Sequence, residues 1–170
     1  FSMDAIWHSW ITLRSWSVAA GLTPLLDRKD QLKDSAIWEL ERGQALSAME
    51  VHRASVIRSE WFAAAARLFT VYDALVLPSA QLWPFDVDLP WPTEIAGVAM
   101  DTYHRWMQVV VPVSLAGLPS LAMPAGFGPG GLPGGVQIFG ARGSDAALLA
   151  IGAAYHAATE WPQKHPGQPG

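Results

Sequence analysis

Between Gly126 and Gly135 the chain carries six glycines and two prolines in ten residues, Gly126-Phe127-Gly128-Pro129-Gly130-Gly131-Leu132-Pro133-Gly134-Gly135. Glycine loses the most conformational freedom on ordering, and proline fixes φ and cannot donate a backbone amide, so no helix can run through this segment. It reads as a turn-rich connector. On either side stand short apolar runs that suit strands, Leu121-Ala122-Met123 before it and Val136-Gln137-Ile138-Phe139 after it. A hairpin or a neighbouring strand pair is therefore predicted.

Upstream the pattern is mostly helical. Met3, Ile6, Trp7, Trp10, Leu13 and Ser17 recur at helical spacing and predict a helix over 3–20, with Ser2 as N-cap and Gly21 as stop. Leu32, Ala36, Ile37 and Leu40 share a face and predict a second helix over 28–42, ended by Gly43. Ser47-Ala48-Met49-Glu50 has capping-box spacing, ahead of a helical run reaching Phe69. Asp73-Ala74-Leu75-Val76-Leu77-Pro78 is a short apolar run closed by proline, as in a buried strand. Residues 79–92 read as an ordered aromatic loop and 102–110 as a helix, and Ser144 and Asp145 start a last helix ending near Trp161-Pro162. Helices alternating with strands give an α/β class, one domain over 1–163 that forms part of a larger sheet, and a flexible tail over 164–170.

Composition removes several function classes. With 51% apolar and 15% charged residues the chain can bury a core, and a net charge of −4 without a basic run offers no footprint for nucleic acid or an anionic membrane. The longest apolar stretch, 109–123, is interrupted by Pro112, Gly117 and Pro119 and falls short of the roughly 20 residues of a membrane-spanning helix. The absence of cysteine removes disulfides and thiolate chemistry and fits a cytoplasmic location. Asp4, His8 and Arg14 argue against a signal peptide at the start, and a beginning at Phe1 suggests a piece of a larger protein.

Three segments occur in a distinctive order: 73–78, then Pro112-Val113-Ser114-Leu115-Ala116-Gly117-Leu118-Pro119-Ser120-Leu121-Ala122-Met123-Pro124-Ala125-Gly126-Phe127, then Gly131-Leu132-Pro133-Gly134-Gly135-Val136-Gln137. In this order, and followed by a last helix, they resemble the C-terminal signposts of the amidase-signature family. Trp91-Pro92-Thr93-Glu94-Ile95-Ala96-Gly97, with Tyr103 and Trp106-Met107, resembles its bacterial amidase branch. The resemblance covers nearly the whole chain. It implies the C-terminal portion of an α/β/α sandwich, a mixed central sheet flanked by helices.

It also implies a mechanism. A serine attacks the amide carbonyl, activated through a second serine held in a cis peptide and a buried lysine, since a serine hydroxyl alone is too weak a nucleophile. The family carries those three groups in its N-terminal half, so they are expected upstream of Phe1 and no catalytic residue is expected here. What the resemblance does assign to this portion is one wall of the acyl-binding pocket, at Trp83, Phe85, Trp106 and Met107. Aromatic rings and a thioether would favour hydrophobic or aryl acyl groups, although ordinary core packing explains each residue equally well. The expected partners are the missing N-terminal half and a small-molecule amide, with no cofactor, and a homodimer stays open.

The sequence departs from the family at several points. Related amidotransferase subunits often carry an acidic residue near Met107 and asparagine at Ser114, and neither is present, which favours a stand-alone amidase. Gly134 replaces a usual β-branched residue and is expected to loosen the start of its strand.

Other chemistries fit less well. The lysines are Lys29, Lys33 and Lys164, two on a polar helical face and one in the tail, and the glycine-rich connector contains no serine. That connector lacks the Gly-Lys-Ser/Thr ending of a phosphate cradle, and His8, His52, His104, His156 and His165 form no metal-ligand spacing. Ser114, His104 and Asp101 could be drawn as a triad, but no nucleophile elbow surrounds the serine. Trp7, Trp10, Trp38 and Trp61 read as core. Two function classes remain: part of an amidase, or a non-catalytic scaffold or binding subunit with the same fold.

Overall fold

A computed structural model describes residues 2–164, apart from the side chain of Pro162. The chain divides into two compact units at Ala64 and Ala65. The first unit is helical. Helix α1 spans Met3–Leu22, and the Ser2 hydroxyl accepts from the amide of Ala5, the N-cap the sequence predicts. Gly21 does not end it, because the chain continues through Leu22 into a 3-10 helix over Thr23–Gln31.

Helix α2, Asp34–Gln44, starts later than predicted and contains Gly43 rather than stopping there. A β-carbon on Gly43 would lie 2.1 Å from the backbone oxygen of Ser15, so this glycine permits close approach of α1 and α2. The buried face of α1 differs correspondingly from the predicted one. Ser9, Thr12 and Ser15 are buried with Ile6, Trp7, Ile11 and Ala19, whereas Met3 and Ser17 are exposed. Ser9 donates to the carbonyl of Ala54, which satisfies one of these buried hydroxyls. Glu39, also buried, is held by a two-point ion pair from Arg14, with Nε to Oε1 at 2.6 Å and Nη2 to Oε2 at 3.2 Å. Trp7 and Trp61 are buried as predicted, but Trp38 is 38% exposed and carries the Arg42 guanidinium over its ring.

Helix α3, Ala48–Leu68, begins at the predicted capping box: the Ser47 amide donates to Glu50 Oε2 at 2.8 Å and the Glu50 amide to Ser47 Oγ at 3.2 Å. It runs into the second unit.

The second unit is built on a three-stranded antiparallel sheet with β1 (Leu75–Pro78) and β4 (Ser120–Phe127) on either side of β5 (Pro133–Phe139). The predicted strands are present, and β4 and β5 extend into the glycine-rich segment from both sides. The turn proper is confined to Gly128–Leu132, where the Gly128 amide donates to the carbonyl of Leu132 at 2.8 Å. A bulge between Pro124 and Gly126 offsets the register, so that Gly126 faces Gly134. β5 begins at Pro133, one residue before Gly134.

A small hairpin absent from the sequence reading, β2 (Glu94–Ile95) with β3 (Val98–Ala99), turns on Ala96 and Gly97, both at positive φ. The predicted 102–110 helix is a 3-10 helix over Arg105–Val110, continued by helix α4 (Val111–Ala116). Pro112 sits in the first turn of α4, where its missing N–H costs nothing, and Gly117 closes it in the left-handed conformation. Helix α5, Asp145–Thr159, packs on β4, and Gly152 leaves the space that Leu121 fills. Of the predicted tail, Lys164 donates to the carbonyl of Thr159 and lies over the Trp161 ring, while residues 165–170, with His165, lie outside the described residues.

Candidate acyl-binding cavity

Pro78 ends β1, and the chain leaves the sheet into the aromatic loop that lines a cavity of about 460 Å³. The Ser79 amide donates to the carbonyl of Gly135, which keeps the first residue of the loop against β5. Gln81 is tied next, its Oε1 accepting from the Val109 amide at 2.9 Å. Gln137, buried in β5, donates from Nε2 to the carbonyls of Pro78 at 2.9 Å and Val109 at 3.1 Å. Two glutamine side chains thus join the sheet, the loop and the 3-10 helix over Arg105–Val110 that carries Trp106 and Met107.

This framework brings three of the four expected pocket residues together. Trp83, Phe85 and Trp106 all line the cavity, and the Phe85 and Trp106 rings meet edge to face, with centroids 5.5 Å apart and planes at 84°. Met107 is half-buried in the same 3-10 helix and is not one of the lining residues. The walls also include Pro84, Leu82, Ala125 and Pro133, with Ser79 and Gln81 as polar contributions. No charged side chain lines it among the described residues. The pocket can hold an apolar or aromatic group of small-molecule size, and it offers a charged one no counter-ion.

Gly134 and Gln81 line the cavity, while Gly128 abuts Trp83 and Gln137 braces the loop and helix from β5, and the sequence singles out none of them as such. The glycines read as turn chemistry, and nothing in the spacing of Gln81 and Gln137 signals that both reach Val109.

None of the groups that could suggest other chemistry lines the cavity. The Ser114 hydroxyl donates to the carbonyl of Val110 at 2.9 Å within its own helix, while His104 is buried and Asp101 is exposed. Lys29 ion-pairs with Glu41 at the surface, Lys33 is exposed at the start of α2, and Lys164 is exposed as well, so none of the three is buried.

Residues 23–149 match the Amidase family. The chain belongs to that family. Among curated relatives, a glutamyl-tRNA(Gln) amidotransferase subunit of Bordetella petrii is 52% identical over 58 residues, which cover 34% of the chain and 11% of the relative. The corresponding subunit of Streptococcus agalactiae is 33% identical over 100 residues, covering 59% of the chain and 19% of the relative. The match therefore spans only a minor part of these relatives. A solved bacterial aryl acylamidase of the amidase signature enzymes superimposes with a TM-score of 0.83 at 22% identity, over 96% of this chain and 35% of that one. The α/β architecture is thus that of the amidase signature fold.

Proposed function

We propose that residues 1–163 are the C-terminal part of an amidase domain that hydrolyses carboxamide C–N bonds, and that their share of the work is to hold the acyl group. The observation that carries this reading is the uncharged aromatic cavity of Trp83, Phe85 and Trp106, fixed to the sheet through Gln81 and Gln137. Burying an aryl or long acyl side chain there gives binding energy of about 25 cal/mol per Å² of apolar surface removed from water. A charged acyl side chain would lose its hydration without a partner. The preferred substrates are accordingly amides of hydrophobic or aromatic acids.

The covalent step needs a nucleophile with a base at hydrogen-bond distance. In this reading the nucleophilic serine, its cis-serine partner and the lysine belong to the N-terminal half of the full protein. The lack of a buried lysine among the described residues, and of any serine in the glycine-rich connector, supports it. Binding energy gained in the cavity serves to orient the carbonyl toward that serine, so a shift of the wall lowers kcat as well as raising KM.

The test uses the longest reading frame that contains these residues. It should hydrolyse aryl and alkyl acyl anilides, and Phe85→Ala should raise KM for them. Activity confined to glutamine in the presence of glutamyl-tRNA would instead support a second reading, part of an amidotransferase, which the identity to those relatives favours.

A further inference from the structure

Trp83 lies in a stretch without a regular strand or helix, yet its ring is seated against the β4–β5 hairpin at two points. A β-carbon on Gly128 would fall 2.5 Å from its Cε2 and Cζ2, and one on Gly134 would fall 2.4 Å from its Cζ3. Real β-carbons are not found so near another atom, so any side chain at either position must push the indole away. The backbone itself does not ask for glycine at these places. Gly128 has φ −97°, and neither residue is among those at positive φ, unlike Gly126, Gly130 and Gly131 of the same segment. What glycine supplies at 128 and 134 is space, and one side chain fills it.

We propose that Gly134 is a specificity-determining residue: by lacking a β-carbon it seats the Trp83 indole, and the seated ring sets the size of acyl group that the cavity accepts. This rests on the reading of the cavity as the acyl pocket. Both residues line that cavity, and Trp83 is 45% exposed, so it is packed on the hairpin in part and open in part. Gly134 acts through Trp83 and is a positioning residue. The loop is tied at Ser79 and Gln81, two residues short of Trp83, so the seat on the hairpin is the contact that fixes the ring.

The experiment compares wild type, Trp83→Ala, Gly134→Val and the double variant in the full-length protein, with anilides whose acyl groups grow from acetyl through butanoyl to benzoyl and phenylpropanoyl. Trp83→Ala should shift kcat/KM toward the largest acyl groups, relative to acetyl, by about tenfold or more. Gly134→Val should lower the thermal midpoint and change the acyl preference in the wild type, and do neither in the Trp83→Ala background, where no ring is left to displace. Trp83→Leu with Gly134→Ala gives the same cycle if the larger changes prevent folding, and its thermal half needs no turnover. The proposal is overturned if Trp83→Ala changes all acyl groups by one factor, or if the Gly134 substitution costs as much stability without the indole as with it. A size-dependent effect of Phe85→Ala alongside either result leaves the acyl-pocket reading standing. Indifference of KM to both Phe85→Ala and Trp83→Ala removes that reading as well.

Discussion

Gln137 reaches from the central strand to the carbonyl oxygen of Val109, with its Nε2 3.1 Å away, and the amide of the same residue is held by Gln81. One residue of the helix that presents Trp106 is thus fixed from two directions, by the sheet and by the cavity loop. Gln137→Leu keeps the size of the side chain but leaves the carbonyls of Val109 and Pro78 without this donor. The expected cost is about 1–3 kcal/mol, seen as a lower urea midpoint at unchanged slope.

Two helical glycines should respond to alanine with opposite signs. Gly21 has nothing within 4 Å of a built β-carbon, so Gly21→Ala should stabilise by about 0.5–1 kcal/mol through a less flexible unfolded chain. Gly43→Ala forces a methyl group against the Ser15 backbone oxygen and must separate α1 from α2, a loss of about 1–3 kcal/mol. Paired urea titrations of the two variants check both signs in one comparison.

Glu50 makes a pH-dependent prediction. Hydrogen bonds from the Ser47 hydroxyl and then the Ser47 amide, helped by Arg53 and Arg42, hold its carboxyl below the usual carboxylate range. A lowered folded-state pKa means that the contribution is fully present above the unfolded value and fades as pH falls through the folded one. The thermal-midpoint difference between wild type and Glu50→Gln should therefore be constant near neutrality and shrink on acidification below the ordinary carboxylate range. A difference that grows in acid would contradict the capping role.

What is legible in the sequence is local. The capping box at Ser47 and Glu50 closes through contacts three residues apart, and the β4–β5 hairpin follows from apolar runs on either side of glycine and proline. Features that depend on a distant partner are not legible in this way. Gly43 reads as a helix stop because its reason, Ser15, lies on another helix, and the predicted α1 face misses Ser9, Thr12 and Ser15 because small buried hydroxyls carry no apolar signal. The β2–β3 turn is hidden because Ala96, rather than asparagine or glycine, adopts φ 50°. At the site, the aromatic wall comes through family resemblance. The seat of Trp83 does not, since a glycine chosen for space and a glycine chosen for a turn are the same letter.

In the proposed function these residues hold an acyl group for a nucleophile that they do not contain. Treatment of the 170-residue chain with a serine-directed fluorophosphonate, read by intact mass and by hydrolysis of a simple aryl amide, tests it most directly. The mass should stay unchanged and no turnover should be seen. A one-to-one adduct on a serine such as Ser114, accompanied by turnover, would contradict it.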